Sequence, residues 1–135
     1  MEIRELLEPM VECDASDIYI TVGLPPMYRV QGNTSALENR FEPFDLSTVE
    51  HLCETVMNEG QREEFRGTCE MNLALSFPTL GRFRVNIFQQ RGNPGMVIRQ
   101  IKLDILTIDD LGLPSIIKDL VMTKRGLILV VGATG

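Results

Sequence analysis

Met71-Asn72-Leu73-Ala74-Leu75 and Gly81-Arg82-Phe83-Arg84-Val85-Asn86-Ile87-Phe88 change side with every residue. Met71, Leu73 and Leu75 fall together, and Phe83, Val85 and Ile87 fall opposite Arg82, Arg84 and Asn86. A strand turns successive side chains to opposite faces, so this period of two predicts half-buried strands. Gly95 to Ile101 reads as a further strand, with Val97, Arg99 and Ile101 on one face. If these strands are antiparallel neighbours, Arg84 and Arg99 share the polar face, although spacing alone leaves the register open.

Upstream of Cys69 the period is helical. Ile3, Leu6, Leu7, Met10 and Val11 form one apolar stripe over Glu2 to Glu12. Pro9 lies inside that stripe and is expected to kink or shorten the helix, because it lacks an N–H. Ile18 to Val22 and Met27 to Val30 read as two short strands around Gly23-Leu24-Pro25-Pro26. In a second helix, Ser47 and Glu50 have the spacing of a capping box, Val49, Leu52, Cys53, Val56 and Met57 form the stripe, and Gly60 is the expected stop. His51 lies off the stripe, and Glu63 and Glu64 read as a solvated face. Helix, strands, helix and then a meander of strands is an α+β pattern.

With 135 residues, 44% of them hydrophobic and 24% charged, the chain suits one ordinary domain and lies outside disordered compositions. Its longest apolar run, Leu127 to Val131, is far short of the roughly 20 residues that cross a bilayer, and Met1 to Glu5 lacks the basic start of a signal peptide. No membrane insertion is expected. Cys13, Cys53 and Cys69 have no CxxC spacing, so neither a disulfide framework nor a zinc site is supported.

The net charge of −6 is divided: residues 1–70 carry 15 acidic and 5 basic side chains, residues 71–135 carry 4 acidic and 8 basic ones. No acid falls between Met71 and Leu103, where Arg82, Arg84, Arg91, Arg99 and Lys102 all lie. Two readings fit: an anion site, or a sheet face paired with the acidic half of the same molecule. Nucleic acid is a poor partner for a chain of pI about 4.8.

After Ile101 the pattern breaks into a linker over 101–113. Pro114 suits the first turn of a helix ending near Lys124-Arg125, and Gly126 opens the apolar strand Leu127 to Val131. Gly132-Ala133-Thr134-Gly135 then follows. A buried strand running into a glycine turn is how a phosphate-binding P-loop begins, since successive backbone N–H groups curl around the phosphate. The full pattern is G-x-x-x-x-G-K-[ST]; only its first half is here, and an ordinary turn explains G-x-x-G equally well. The chain reads as a larger protein interrupted inside its nucleotide site.

Ala15-Ser16-Asp17-Ile18-Tyr19-Ile20, Gly23 to Gly32, Gly81 to Phe88, Ile98 to Ile101 and Arg125 to Gly135, in this order and spacing, resemble the N-terminal part of the type IV pilus retraction ATPases. These form the PilT/PilU branch of the type II/IV secretion ATPases. Val131 to Gly135 and Gly95-Met96-Val97 look closer to PilU. Tyr19 stands where family members usually carry histidine, and Gln31 where they often carry an acid, which puts polar roles at both positions in doubt.

The resemblance implies a PAS-like α+β domain over residues 1–100, a linker over 101–113 and the start of a RecA-like ATPase domain over 114–135. It implies arginines matching Arg82, Arg84 and Arg99 approaching nucleotide phosphates, and a P-loop beginning at Gly132, Ala133, Thr134 and Gly135. It further implies ATP and Mg²⁺ in the full-length protein, with none expected tightly bound to this chain alone. The expected assembly is a cytoplasmic homo-hexamer at the inner-membrane base of the pilus, meeting a membrane platform and a paralogous ATPase, and driving retraction and twitching motility. The alternative is a non-catalytic PAS-like sensor or interaction module.

Overall fold

The computed structural model describes residues 1–102 and 106–132, and the chain divides into two compact units, Met1–Ile101 and Lys102–Gly135. The first unit is α+β. It contains α1 (Ile3–Glu12), β1 (Asp17–Ile20), β2 (Met27–Val30), β3 (Asn33–Ala36), α2 (Leu46–Val56), α3 (Glu59–Thr68), β4 (Glu70–Phe77), β5 (Gly81–Gln90) and β6 (Asn93–Ile101). The six strands form one antiparallel sheet in the order β3-β2-β1-β6-β5-β4, so the first and last strands of the meander meet at its centre.

The inner face of the sheet carries the core. Ile18, Ile20, Tyr28, Phe83, Val85, Ile87, Met96 and Ile98 are fully buried there, against Leu6, Leu7 and Met10 of α1 and Val49 and Leu52 of α2. The period-two and period-3.6 patterns read from the sequence are therefore two sides of one apolar interface. Tyr28 is tied across it, its hydroxyl donating to the Leu6 carbonyl at 3.1 Å. The opposite face holds the alternate residues of each strand and has no helix of this unit over it, which is the usual division of a half-solvated antiparallel sheet.

Several local expectations are corrected. α1 runs through Pro9 to Glu12 without stopping, because burial of Pro9 with Leu6, Leu7 and Met10 retains the last turn. The N-cap of α2 is Asp45, not Ser47: its Oδ1 accepts from the Thr48 amide at 2.8 Å, while the Ser47 hydroxyl donates to the same oxygen at 3.0 Å. The helix ends at Val56, before Gly60, because Asn58 starts a new one. Asn58 Oδ1 accepts from the Gln61 amide at 3.0 Å and Gln61 Oε1 accepts from the Asn58 amide at 2.9 Å, a reciprocal cap that outweighs a glycine stop. Gly60 thus lies in the first turn of α3, which also carries the exposed Glu63 and Glu64. His51 is exposed, as its place off the stripe implied. β3 was not anticipated: Asn33, Thr34 and Ser35 are exposed on an edge strand with no apolar alternation to betray them. Gln31 and Gly32 both take positive φ, +48° and +82°, the type I′ pattern that closes this hairpin.

The second unit contains α4 (Ile116–Val121), preceded by a turn in which Thr107 and Asp110 cap one another. Pro114 stands before the Ser115 N-cap and the helix ends at Val121, short of Lys124-Arg125. Leu127 to Val131 is not a strand. These residues are 54–95% exposed, and among the described residues of this unit no strand is present to supply the ladder bonds that the expected strand requires. Ala133, Thr134 and Gly135 lie outside the described residues.

Burial sets an alkaline limit on stability. It pushes the Cys53 thiol up to about 12 and the Tyr28 phenol further above its ordinary value. In the unfolded chain these groups ionise near about 8.5 and about 10. The folded state therefore holds more protons above about pH 8.5, and stability, complete below that pH, falls as pH rises toward 12. The melting temperature is expected to decline from about pH 9 upward, with a shallower slope in Cys53→Ala; a flat profile from about pH 8 to 11 would refute this assignment.

Candidate functional site

The registers place a polar row across the open face of the sheet. Ala74 faces Arg84, Arg84 faces Arg99, Arg99 faces Asp17, Asp17 faces Arg29, and Arg29 faces Thr34. The adjoining row runs Asn72, Asn86, Val97, Tyr19, Met27 and Ala36. Arg84, Arg99, Asn72, Asn86 and Val97 together line an open depression of about 400 Å³. Arg82 lies on the same face one row away, opposite Ser76 and Ile101, and does not line it. The structure thus brings Arg84 and Arg99 side by side and sets Arg82 beside them. Gly132 belongs to the second unit, outside any strand, with the other three glycine-turn residues beyond the described ones.

Directly opposed like charges destabilise an antiparallel pair. The Arg84–Arg99 pairing is therefore not explained by sheet stability. Only one of the two arginines is neutralised within the unit. Arg99 Nε donates to Asp17 Oδ1 at 2.8 Å, and this hydrogen bond and the Asp17 charge push the guanidinium further up from its ordinary value. Among the described residues, no hydrogen bond or ion pair engages the guanidinium of Arg84 or Arg82. Both side chains are exposed. The two readings of the acid-free stretch consequently divide between residues: Arg99 pairs with an acid of the N-terminal half, whereas Arg84 faces solvent as an uncompensated cation.

Asp17 was missed as a site residue because its partner is 82 positions away in sequence. Asn72 and Asn86 were also missed. They face one another across β4 and β5, Asn86 Nδ2 donating to Asn72 Oδ1 at 3.2 Å, and both amides reach Glu70 Oε1 at 3.3 Å. The two arginines offer planar, charged donors in one depression, suited to phosphate oxygens, while the Asn72 and Asn86 amides beside them are engaged with Glu70.

A second depression, of about 270 Å³, lies between α2, α3 and the β5–β6 turn. Cys53, Met57, Phe65 and Pro94 give it apolar walls, and Glu50 and Glu54 balance Arg62 and Arg66. Among the described residues, no three His, Cys, Asp or Glu side chains are grouped to hold a metal ion, and no helix is long and apolar enough to cross a membrane. The three cysteines are free.

No family model matches the chain. Over all 135 residues it is 44% identical to the type IV pilus ATPase PilU of Pseudomonas aeruginosa, of which it spans 35%. It is 37% identical over 135 residues to the type IV pilus retraction ATPase PilT of the same organism, spanning 39% of it. The crystal structure of the pilus retraction motor PilT with bound ADP matches 100% of this chain with a TM-score of 0.82 and 33% identity, the chain covering 39% of that protein. A match in sequence over the whole chain to two pilus ATPases, joined to the shared fold of a pilus retraction motor, places this chain in the PilT/PilU type of pilus ATPase, as an N-terminal portion with a higher identity to PilU than to PilT.

Proposed function

We propose that the chain is the arginine-supplying N-terminal part of a hexameric motor ATPase that retracts type IV pili and drives twitching motility. The observation that carries this reading is the placement of Arg84 beside Arg99 on the open sheet face, with no protein anion on Arg84. Residues 1–100, within the first unit, are PAS-like in this reading, supported by the antiparallel sheet with helices against one face. Residues 101–113 link it to a RecA-like ATPase domain beginning at 114, and Gly132, Ala133, Thr134 and Gly135 begin its P-loop.

Phosphoryl transfer is catalysed almost wholly by positioning and by stabilising charge on the transferred group. The guanidinium of Arg84 presents a planar fork to two phosphate oxygens. Arg99 supplies a second fork and Arg82 adds a nearby charge. ATP is the substrate. Mg²⁺ would supply further neutralisation of the phosphate charge; among the described residues no three His, Cys, Asp or Glu side chains are grouped to hold it, and no step is assigned to it here. The motor is assigned to the cytoplasmic side of the inner membrane at the pilus base, with a membrane platform and a paralogous ATPase as partners.

A sensor or interaction module is the second reading, favoured by the partly apolar depression between α2 and α3. The two are separated by residues after Gly135 and by turnover. The motor expects Gly-Lys-Ser or Gly-Lys-Thr after one intervening residue, ATP hydrolysis by the full-length protein, and none by the 135-residue chain. Phosphate release by this chain alone, above a no-protein blank in contaminant-free material, contradicts the division of labour; a full-length protein without ATPase activity favours the module.

A further inference from the structure

We propose that Asp17 is a positioning residue for Arg99, accepting its Nε–H so that the terminal nitrogens of the guanidinium stand beside Arg84 toward an incoming phosphate. This inference rests on the reading of Arg84 and Arg99 as phosphate-binding groups.

The pair is asymmetric. The Asp17 side chain is 4% exposed and that of Arg99 is 65% exposed, so the carboxylate lies beneath the arginine rather than beside it in water. A buried carboxylate costs desolvation that an exposed pair does not, and a surface arginine alone does not require one. Asp17 is also held from behind. The Ser16 hydroxyl donates to Asp17 Oδ2 at 2.8 Å, leaving Oδ1 for Arg99 Nε at 2.8 Å. Ser16 is itself pinned between two strands: its amide donates to the Arg29 carbonyl at 2.8 Å, and its carbonyl accepts from the Gln100 amide at 3.0 Å. The carboxylate orientation is thus fixed by backbone bonds on both sides, one of them made by the neighbour of Arg99.

Contact through Nε engages one of the five N–H donors of the guanidinium and leaves the terminal fork unspent. A bidentate carboxylate grip would have occupied part of that fork. Asp17 also faces Arg29 in register, so one carboxylate sits between two arginines of a row that holds a third at Arg84. The row remains net positive, and the charge on Asp17 offsets the repulsion that would drive Arg99 away from Arg84. Both effects hold Arg99 where an oxyanion between the two arginines could be shared.

The test is steady-state ATP turnover by the full-length protein bearing Arg99→Ala, Asp17→Ala, Asp17→Asn, and each Asp17 change combined with Arg99→Ala. Asp17→Ala is expected to lower kcat about tenfold, with the KM for ATP changed less than about threefold, because misplacing a group that acts on the transition state spares ground-state binding. Asp17→Asn keeps an acceptor at Oδ1 without the charge and should lose about threefold in kcat. Neither change should slow the Arg99→Ala protein further, since Asp17 acts only through that arginine. If Arg99→Ala turns over normally, the phosphate reading itself fails. If Arg99→Ala is impaired while Asp17→Asn is unaffected, or if an Asp17 substitution slows the Arg99→Ala protein by the same factor as the wild type, positioning is overturned and the phosphate reading stands. Asp17→Asn alone decides the matter should Asp17→Ala fail to fold.

Discussion

Arg84→Ala in the full-length protein should lower ATP turnover by about 10³, the low end of what an arginine stabilising a transferred phosphoryl group contributes. Its effect on stability should be within about 0.5 kcal/mol, as for surface residues without a structural partner. Arg84 is exposed, its guanidinium has no hydrogen bond or ion pair among the described residues, and it faces another arginine in register, so its loss removes repulsion and no polar side-chain contact. Arg84→Lys should rescue only part of the turnover, because an ammonium is a point charge without the planar fork. Arg82→Ala should do less harm than Arg84→Ala, since Arg82 lies outside the depression that Arg84 and Arg99 line. Turnover and melting temperature measured on the same preparations check these expectations. Activity that falls only in proportion to lost folding would assign Arg84 to the fold instead.

One residue earlier in the chain the expected result reverses. Phe83→Ala should destabilise the first unit by about 3–5 kcal/mol, the range for removing a buried phenylalanine and leaving its cavity. Phe83 is fully buried on the inner face, on the strand beside the β4 edge, and its ring meets Phe77 edge-on with centroids 6.3 Å apart. Domains of this size hold only about 5–15 kcal/mol in total, so a loss of this order shifts the denaturation midpoint severely and unfolds a marginal domain. Urea titration of Phe83→Ala against the parent chain measures it. A loss below about 1 kcal/mol would mean that the inner face is not packed as described. The contrast between neighbouring residues follows from the strand, whose alternating backbone puts Phe83 in the core and Arg84 on the open face.

That alternation was legible without coordinates. The chemistry of Met71, Leu73, Leu75, Phe83, Val85 and Ile87 repeats with the period of a strand, and burial follows the same period. The stripe of α1 was equally plain, since Leu6, Leu7 and Met10 recur with the helical turn and all three are fully buried. Where two local signals competed, the reading failed. A capping box at Asn58 defeated the glycine stop at Gly60, and Asp45 defeated Ser47 as a cap. β3 escaped because an exposed edge strand need not alternate in polarity. Leu127 to Val131 has the apolar composition of a buried strand, but a strand exists only with a neighbour to bond to, and composition does not supply one.

Local sequence by itself determined which residues of each element face the core, because side-chain period and hydrophobic burial act within a few positions of the chain. It also singled out the acid-free stretch that carries Arg82, Arg84 and Arg99. Which of those arginines is free was decided only by tertiary structure. β1 pairs with β6 across most of the first unit, and that pairing brings Asp17 under Arg99 while leaving Arg84 opposite it without an acid. An ion pair depends on separations of a few ångströms between side chains, and when the partners are 82 positions apart only the closed register of the sheet sets that distance.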